Sequence, residues 1–320
     1  MNAIVVTQLA VPNSPIRDVN LRIPEHSCYG IIGASGSGKS VLLNAIAGLH
    51  GTQSPRIQMN GQPVCATTAQ IGMMSPRIHP PTNLTVQRLL TTQAMLYGLS
   101  GTTLNAHYDR AVRWCAIEQL AYKSIGQLSL FDIRRVMLAV ALINRPSLLL
   151  IDDPTAGLYS HEQLVMIDIL ESLRGRNMTI VIATRGDVPL ESLFDTVGIL
   201  ADGRIISELD AQQIRTLPRT IMIHTNDIPS AAFDTIITFD HGIIATRRTI
   251  VLTGNGVQSL AEVLQILLHY NVHIFRIEPR NHPLQDLVKQ SETPQTMTQL
   301  YPPRIITSEI GDEIAPPTEE

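Results

Sequence analysis

The sequence has 320 residues, of which 44% are hydrophobic and 16% charged, so it can bury one large core or two modest ones. The formal net charge of -4 at pH 7 argues against nucleic acid as the main partner, because proteins that bind a phosphate backbone usually present a basic face. The three cysteines, Cys28, Cys65 and Cys115, lie far apart in the sequence; they show neither a metal-binding spacing nor a disulfide framework, which is typical of a reducing cytoplasm.

The N-terminal residues show no basic stretch followed by a long apolar run, so the sequence predicts no signal peptide. The longest apolar run, residues 136–143, is far shorter than the ~18 residues that a membrane-spanning helix requires. We therefore expect any work at a membrane to go through a separate membrane protein.

Short strands, predicted at residues 4–6, 21–23 and 28–32, lead into a loop that fits the pattern G-x-x-x-x-G-K-[ST]. The glycines let backbone N–H groups turn towards phosphate oxygens without a Cβ in the way. Lys39 supplies a positive charge for the β- and γ-phosphates, and the Ser40 hydroxyl can ligate Mg²⁺. The candidate nucleotide-binding residues are Gly33, Ala34, Ser35, Gly36, Ser37, Gly38, Lys39 and Ser40.

A helical pattern at residues 41–47 follows this loop, which completes the strand, loop and helix N-terminus that phosphate binding needs. The alternative is a flexible linker rich in glycine and serine. Residues 58–64 then predict a hairpin with Asn60 and Gly61 at its tip. Residues 84–97 and 104–120 show helical spacing of apolar side chains with no strand between them, so we expect a helical insertion at about residues 82–145.

Residues 148–151 form an apolar run that predicts a buried parallel strand, and Asp152 and Asp153 follow it. In open α/β sheets, ligands bind at the carboxyl ends of the strands, and Asp152 can hold Mg²⁺ there. An acidic turn after an ordinary core strand is the alternative, but the phosphate-binding loop upstream favours the metal role. Further strands are predicted at residues 179–184, 197–200 and 204–206.

Over about residues 1–210, the order of these motifs resembles the ATP-binding subunit of an ABC transporter. Residues 33–40 match its Walker A motif, residues 148–153 its Walker B motif, and residues 128–132 lie where its Leu-Ser-Gly-Gly-Gln signature belongs. The resemblance implies an α/β P-loop NTPase fold with a helical subdomain, spanning residues 1–212. It also implies ATP and Mg²⁺ as cofactors, with ATP held between the Walker A loop of one subunit and the signature of another.

The partners that the resemblance implies are an integral-membrane permease and a second ATP-binding subunit, as a homodimer or heterodimer, on the inner face of the cell membrane. In such a dimer Ser129 is the signature serine that faces the nucleotide of the other subunit. Asp153 and Arg185 fall at the positions of the family's catalytic glutamate and switch histidine.

Several motif positions depart from the family pattern. Asp153 is one methylene shorter than glutamate, so we expect it to reach the attacking water poorly. Arg185 stays charged and cannot share a proton as histidine can, although it could still contact the γ-phosphate. Arg77 replaces the Q-loop glutamine and Tyr159 the D-loop aspartate, and no adenine-stacking aromatic is evident near Val11. The signature's two glycines and its glutamine are replaced by Leu130, Phe131 and Asp132.

We expect Ser129 still to cap the helix that follows, with Asp132 completing a capping box. Leu130 and Phe131, however, put side chains where backbone must approach a phosphate. These features suggest a chain that binds ATP firmly, hydrolyses it slowly and works as the degenerate member of a heterodimer. The alternatives are an ATP-binding regulatory or scaffold protein and a relative acting on ribosomes or DNA, the last disfavoured by the acidic balance.

The C-terminal third predicts a small α+β domain at residues 213–290. Strands are expected at residues 220–224, 235–239, 249–253 and 272–277, a turn at 240–242, and helices at 257–269 and 283–288. The segment Ile277-Glu278-Pro279-Arg280 loosely resembles the C-terminal extension of the drug-export-like branch, so we expect an interaction or dimer-stabilising module. The proline, serine and glutamate content of residues 291–320 predicts a disordered tail.

Overall fold

The computed structural model of the protein describes residues 2–49, 56–64, 70–186, 190–217, 220–237, 243–253, 257, 259–279 and 283–291. The described strands form three sheets. The turn predicted at 240–242 and residues 292–320 of the predicted tail lie outside the described residues. None of the described helices has both the length and the apolar character needed to cross a membrane.

The central sheet has six strands in the order β10-β9-β3-β8-β7-β6. All neighbours pair in parallel except β10, which runs antiparallel to β9. Its strands are β3 (Cys28–Ile32), β6 (Ile71–Met74), β7 (Leu148–Asp152), β8 (Thr179–Thr184), β9 (Thr196–Ala201) and β10 (Arg204–Asp210). Strands β3, β7 and β8 are buried along their whole length, because hydrophobic cores cover both faces of the sheet. The predicted α/β fold is therefore confirmed.

A four-stranded sheet of order β2-β1-β4-β5 packs on one face of the central sheet. It contains β1 (Asn2–Leu9), β2 (Val19–Pro24), β4 (Ile57–Met59) and β5 (Gln62–Pro63). Helix α1 (Lys39–Ile46) shares the core between the two sheets through Leu42, Leu43 and Ile46. The predicted hairpin turn is present, with positive φ angles of 51° at Asn60 and 76° at Gly61.

The other face of the central sheet carries the remaining helices of this region: α2 (Val86–Leu96), α3 (Gly101–Trp114), α4 (Leu130–Leu142), α5 (Ser160–Leu173) and α6 (Ala211–Thr216). The two helices predicted in the insertion are present as α2 and α3. The prediction that the second helix continues to residue 120 is wrong. Helix α3 ends at Trp114, because Ala116 has a left-handed φ of 52°, and a 3-10 turn, Glu118–Leu120, follows.

The C-terminal third begins with an antiparallel sheet of order β12-β13-β11-β14. Its elements alternate as β11 (Thr220–Thr225), α7 (Ser230–Ile237), β12 (Ile243–Ala245), β13 (Thr249–Thr253), α8 (Leu260–His269) and β14 (Ile274–Pro279). This βαββαβ order is that of a ferredoxin-like plait, and both helices share one hydrophobic core with the sheet.

The strand predicted at residues 235–239 is wrong where the chain is described, because Thr235, Ile236 and Ile237 form the last turn of α7. Their β-branched side chains favour a strand in isolation. Ile236, however, is fully buried in the core of the plait, and that packing holds the segment as a helix. Residues 238 and 239 lie outside the described residues.

The last described helix, α9 (Pro283–Ser291), packs away from the plait. Leu284, Leu287 and Val288 are buried in the core that covers the central sheet, not in the core of the plait. The C-terminal region is therefore joined to the region of the central sheet by packing as well as by the chain.

We expect Gly203→Ala to destabilise the fold more than Gly61→Ala. Both glycines follow a left-handed Asn or Asp in a hairpin turn and have a φ of 76°, which costs an alanine about 1 kcal/mol. A Cβ at Gly61 meets nothing, whereas at Gly203 it would overlap the Pro15 carbonyl oxygen, which adds about 1–3 kcal/mol. Urea unfolding of both variants measures the difference, and equal unfolding free energies would contradict the close packing at Gly203.

Candidate functional site

The glycine-rich loop leaves the buried end of β3 and turns directly into α1. A Cβ on Gly33 would overlap the Leu200 carbonyl oxygen and lie 2.6 Å from the Ser37 hydroxyl oxygen, so only glycine fits there. Gly36 and Gly38 have φ angles of 83° and 103°, which favour glycine. The loop therefore presents backbone N–H groups at a helix N-terminus, where an anion is favoured.

Lys39 begins α1, and its side chain folds back over the start of the loop. Its ammonium group donates hydrogen bonds to the carbonyl oxygens of Gly33, at 2.7 Å, and Ala34, at 2.6 Å. The residue is only 9% exposed, so its positive charge is held at the loop. The neighbouring Ser40 is half-buried in the first turn of α1, and Ser35 and Gly36 are exposed.

A cavity of about 740 Å³ opens beside the loop, which is within the size range of small-molecule sites. Its lining consists of the loop residues 34–37, the β9–β10 turn at residues 200–204, and Pro15 and Arg17. No aromatic side chain is among the described residues that line it.

The acidic residues lie at the same edge of the sheet as the loop. Asp152 ends β7, is 4% exposed and pairs in register with Ala183 of β8. The next residue, Asp153, leaves the strand with a left-handed φ of 45°, and its N–H donates to the Ala183 carbonyl oxygen at 2.8 Å. Because this bond fixes the backbone, the position of the Asp153 carboxylate is set by the neighbouring strand.

Asp153 and Arg185, the two residues expected at the catalytic positions, form an ion pair. The Arg185 Nε lies 3.8 Å from the Asp153 Oδ2, with the side chains 49% and 22% exposed. Arg185 follows Thr184, which ends β8 and pairs with Ile32 at the end of β3. The parallel register thus brings together the loop, Asp152, Asp153 and Arg185 at one edge of the sheet.

Arg134 is a further charged residue of this region whose role the sequence did not indicate. It lies on α4, is 9% exposed, and burial lowers its pKa, while the carboxylates of Asp153 and Asp152 raise it. Arg134 is thus a buried cation close to both acids. The available signal was the pair Arg134-Arg135, one turn inside a mostly apolar helix.

The signature segment keeps its helix, as expected. The Ser129 hydroxyl accepts a hydrogen bond from the Asp132 N–H at 3.1 Å and caps α4. The predicted capping box does not form, because the Asp132 carboxylate instead pairs with Arg135 at 2.5 Å. Arg135 also covers the Phe131 ring at 4.6 Å, whereas Leu130 is 45% exposed. Of the two side chains expected to hinder a phosphate, Leu130 is thus the more exposed.

Arg77 and Tyr159, the other two altered motif positions, both have exposed side chains. Tyr159 precedes α5, and its N–H donates to the Glu162 carboxylate at 2.9 Å. Its ring is 74% exposed and stacks on His161. Neither side chain takes part in the ion pair between Asp153 and Arg185.

Comparison of the sequence with known proteins finds relatives in the family that the motif order resembles. The sequence profile of the ABC transporter family matches residues 16–156. The aliphatic sulfonates import ATP-binding protein SsuB 2 of Agrobacterium fabrum is 32% identical over 66% of this chain and 80% of its own length. The Nod factor export ATP-binding protein I of Burkholderia lata is 28% identical over 60% of this chain, and the aligned part spans 65% of that protein, slightly under two thirds.

Solved structures share the fold. The cbiO1 protein of Clostridium perfringens, part of the ABC transporter complex cbiONQ, superimposes with a TM-score of 0.60 at 24% identity, over 67% of this chain and 90% of that one. The dimeric bacterial ABC transporter cassette MJ0796 superimposes with a TM-score of 0.57 at 22% identity, over 65% and 98% of the two chains.

We expect Lys39→Ala to abolish the stabilisation of the chain by Mg²⁺-ATP. Ligand at a hundredfold excess over its Kd stabilises a protein by about 2.7 kcal/mol, and the variant lacks the ammonium group held at the loop. Thermal unfolding with and without nucleotide measures this, with the exposed Lys123→Ala as the control. An unchanged thermal shift in Lys39→Ala would show that nucleotide binds elsewhere.

We expect Ser129→Ala to lower the free energy of unfolding by about 1 kcal/mol through loss of the α4 cap. Because the Ser129 hydroxyl accepts the Asp132 N–H within this chain, the affinity of the isolated chain for ATP stays unchanged. Ser129→Asn, which can cap, retains the stability. Urea unfolding and ATP titration of the two variants check this, and a weaker ATP affinity in Ser129→Ala would contradict it.

Proposed function

This chain belongs to the ATP-binding subunits of ABC transporters, and we propose that it binds Mg²⁺-ATP firmly and hydrolyses it slowly. The observation that carries the proposal is the ion pair between Asp153 and Arg185. These residues occupy the family's catalytic glutamate and switch histidine positions, and each binds the other instead of being available to the attacking water.

The binding groups are intact in this proposal. The backbone N–H groups of the loop and Lys39 hold the β- and γ-phosphates, and the cavity beside the loop takes the base and ribose. Ser40 and Asp152 supply an uncharged and a charged oxygen for Mg²⁺. Asp152 suits this role, because it is buried at the strand end beside the loop. Bound Mg²⁺ neutralises charge on the phosphates.

Hydrolysis needs a group that orients water and accepts its proton. The Asp153 carboxylate is one methylene shorter than glutamate and is paired with the Arg185 guanidinium group, so it orients water poorly. Arg185 cannot accept the proton of that water in its place, because a guanidinium group stays charged. It can attract the γ-phosphate electrostatically. We infer that the altered pair retains ATP while slowing its cleavage.

The surface that would receive the nucleotide of a second subunit is also altered. Leu130 is exposed at the start of α4, and the Asp132 carboxylate is close to the helix N-terminus. Leu130 opposes a phosphate by its bulk, whereas Arg135 balances the charge of the Asp132 carboxylate in an ion pair. We infer that the chain works as the degenerate member of a heterodimer with a second ATP-binding subunit, bound to an integral-membrane permease on the inner face of the membrane.

A non-hydrolysing regulatory or scaffold protein is the second candidate, and the same ion pair favours it. The two functions differ in the partner. Co-purification of the full chain with a permease encoded by a neighbouring gene supports the transporter function, and stable recovery without any membrane protein supports the regulatory one.

We expect the double variant Asp153→Glu, Arg185→His to hydrolyse ATP at least about tenfold faster than the natural chain, because it restores a base of full length and a titratable partner. The rate increases of the two single variants, multiplied together, are smaller than the increase in the double variant, because the two side chains interact. Steady-state release of phosphate measures the rate.

The matched control carries the same two substitutions in an exposed ion pair, Asp227→Glu and Arg248→His, and leaves turnover unchanged. Rapid turnover by the natural chain alone, abolished by Asp153→Asn, would contradict the proposal of slow hydrolysis.

A further inference from the structure

We propose that the first turn of α9 is a positioning element for Arg185, so that the C-terminal region sets how this residue meets the nucleotide. The inference rests on the proposed function in one respect, namely that Arg185 contacts the γ-phosphate. The rest of it follows from the packing around Gly186, the residue after Arg185.

Gly186 lies between the end of β3 and the start of α9. A Cβ built there would lie 3.1 Å from the backbone nitrogen of Gln285, 3.2 Å from the Leu284 carbonyl carbon, and 3.1 Å from the Cγ2 of Ile32. Ile32 is the residue immediately before the phosphate-binding loop. The backbone after Arg185 is therefore enclosed by the strand that carries the loop on one side and by α9 on the other.

The backbone on the N-terminal side of Arg185 is fixed as well. Thr184 is fully buried at the end of β8, and its hydroxyl accepts a hydrogen bond from the Gly186 N–H at 3.4 Å. The Arg185 side chain itself is 49% exposed. Its placement thus depends on a backbone that is fixed by buried neighbours, and α9 is one of them.

Helix α9 is anchored firmly enough to act in this way. Leu284 is 1% exposed, and Leu287 and Val288 are each 5% exposed, all within the core beside β9. The helix begins four residues after β14 ends at Pro279. The anchored helix therefore fixes the position of the turn that packs beside Gly186.

The test compares the affinities of the full chain for Mg²⁺-ATP and Mg²⁺-ADP, because their ratio reports the contact to the γ-phosphate. We expect Arg185→Ala to lower the ratio about tenfold and Leu284→Ala about fivefold. Leu284→Met, which keeps the volume, restores the natural ratio. In the Arg185→Ala background Leu284→Ala has no further effect, since the helix acts through that residue.

Leu287→Ala is the matched control. It makes the same truncation in the same helix and core, one turn further from Gly186, and we expect the natural ratio. Isothermal titration calorimetry gives the ratios, and urea unfolding confirms that both variants are folded to a similar extent.

Three results would contradict the inference, and each excludes a different step of it. An unchanged ratio in Leu284→Ala, with a lowered one in Arg185→Ala, removes only the role of α9. Equal losses in Leu284→Ala and Leu287→Ala show general loosening of the helix. An unchanged ratio in Arg185→Ala removes the proposed contact of Arg185 with the γ-phosphate and the inference with it.

Discussion

The parallel pairing of β3 with β8 and of β8 with β7 is the constraint on which the site depends. Ile32 is in register with Thr184, and Asp152 with Ala183, so the three strands end at one edge of the sheet. The segments that follow the three strands therefore lie together there: the glycine-rich loop, Arg185 and Asp153. At that edge the opposite charges of Asp153 and Arg185 attract, which couples the two altered positions to each other. The loop beside them keeps its geometry.

Much of the fold is predictable because its strands are buried on both faces and read as apolar runs. The bounds of β3 and β7 fall within one residue of the predicted bounds. Strands β6 and β12, of four and three residues, were not predicted, because such short segments carry little periodicity. The strand predicted over α7 shows the opposite error: the β-branched residues 235–237 favour extended backbone, and burial of Ile236 overrides that preference.

The residues of the candidate site could be predicted singly, but the contacts between them could not. Motif order indicated Lys39, Asp153 and Arg185, and it gave each a separate role. That Asp153 and Arg185 bind each other depends on side-chain geometry between two strands, which spacing does not contain. The burial of Arg134 close to Asp153 and Asp152 was not predicted, because it depends on how α4 packs against the sheet. Helix α9 packs on Gly186, which lies at least 98 residues earlier in the sequence. The amphipathic pattern of a helix does not indicate which core the helix joins.

We propose that the chain binds ATP firmly and cleaves it slowly. The most direct measurement is a single-turnover experiment, in which the full chain, in excess over γ-labelled Mg²⁺-ATP, is quenched at intervals and the bound nucleotide is separated. We expect most of the bound ATP to stay intact over many minutes, since Arg185 holds the Asp153 carboxylate as an ion pair. Conversion of the bound ATP to ADP and phosphate within seconds, by the chain alone, would contradict it.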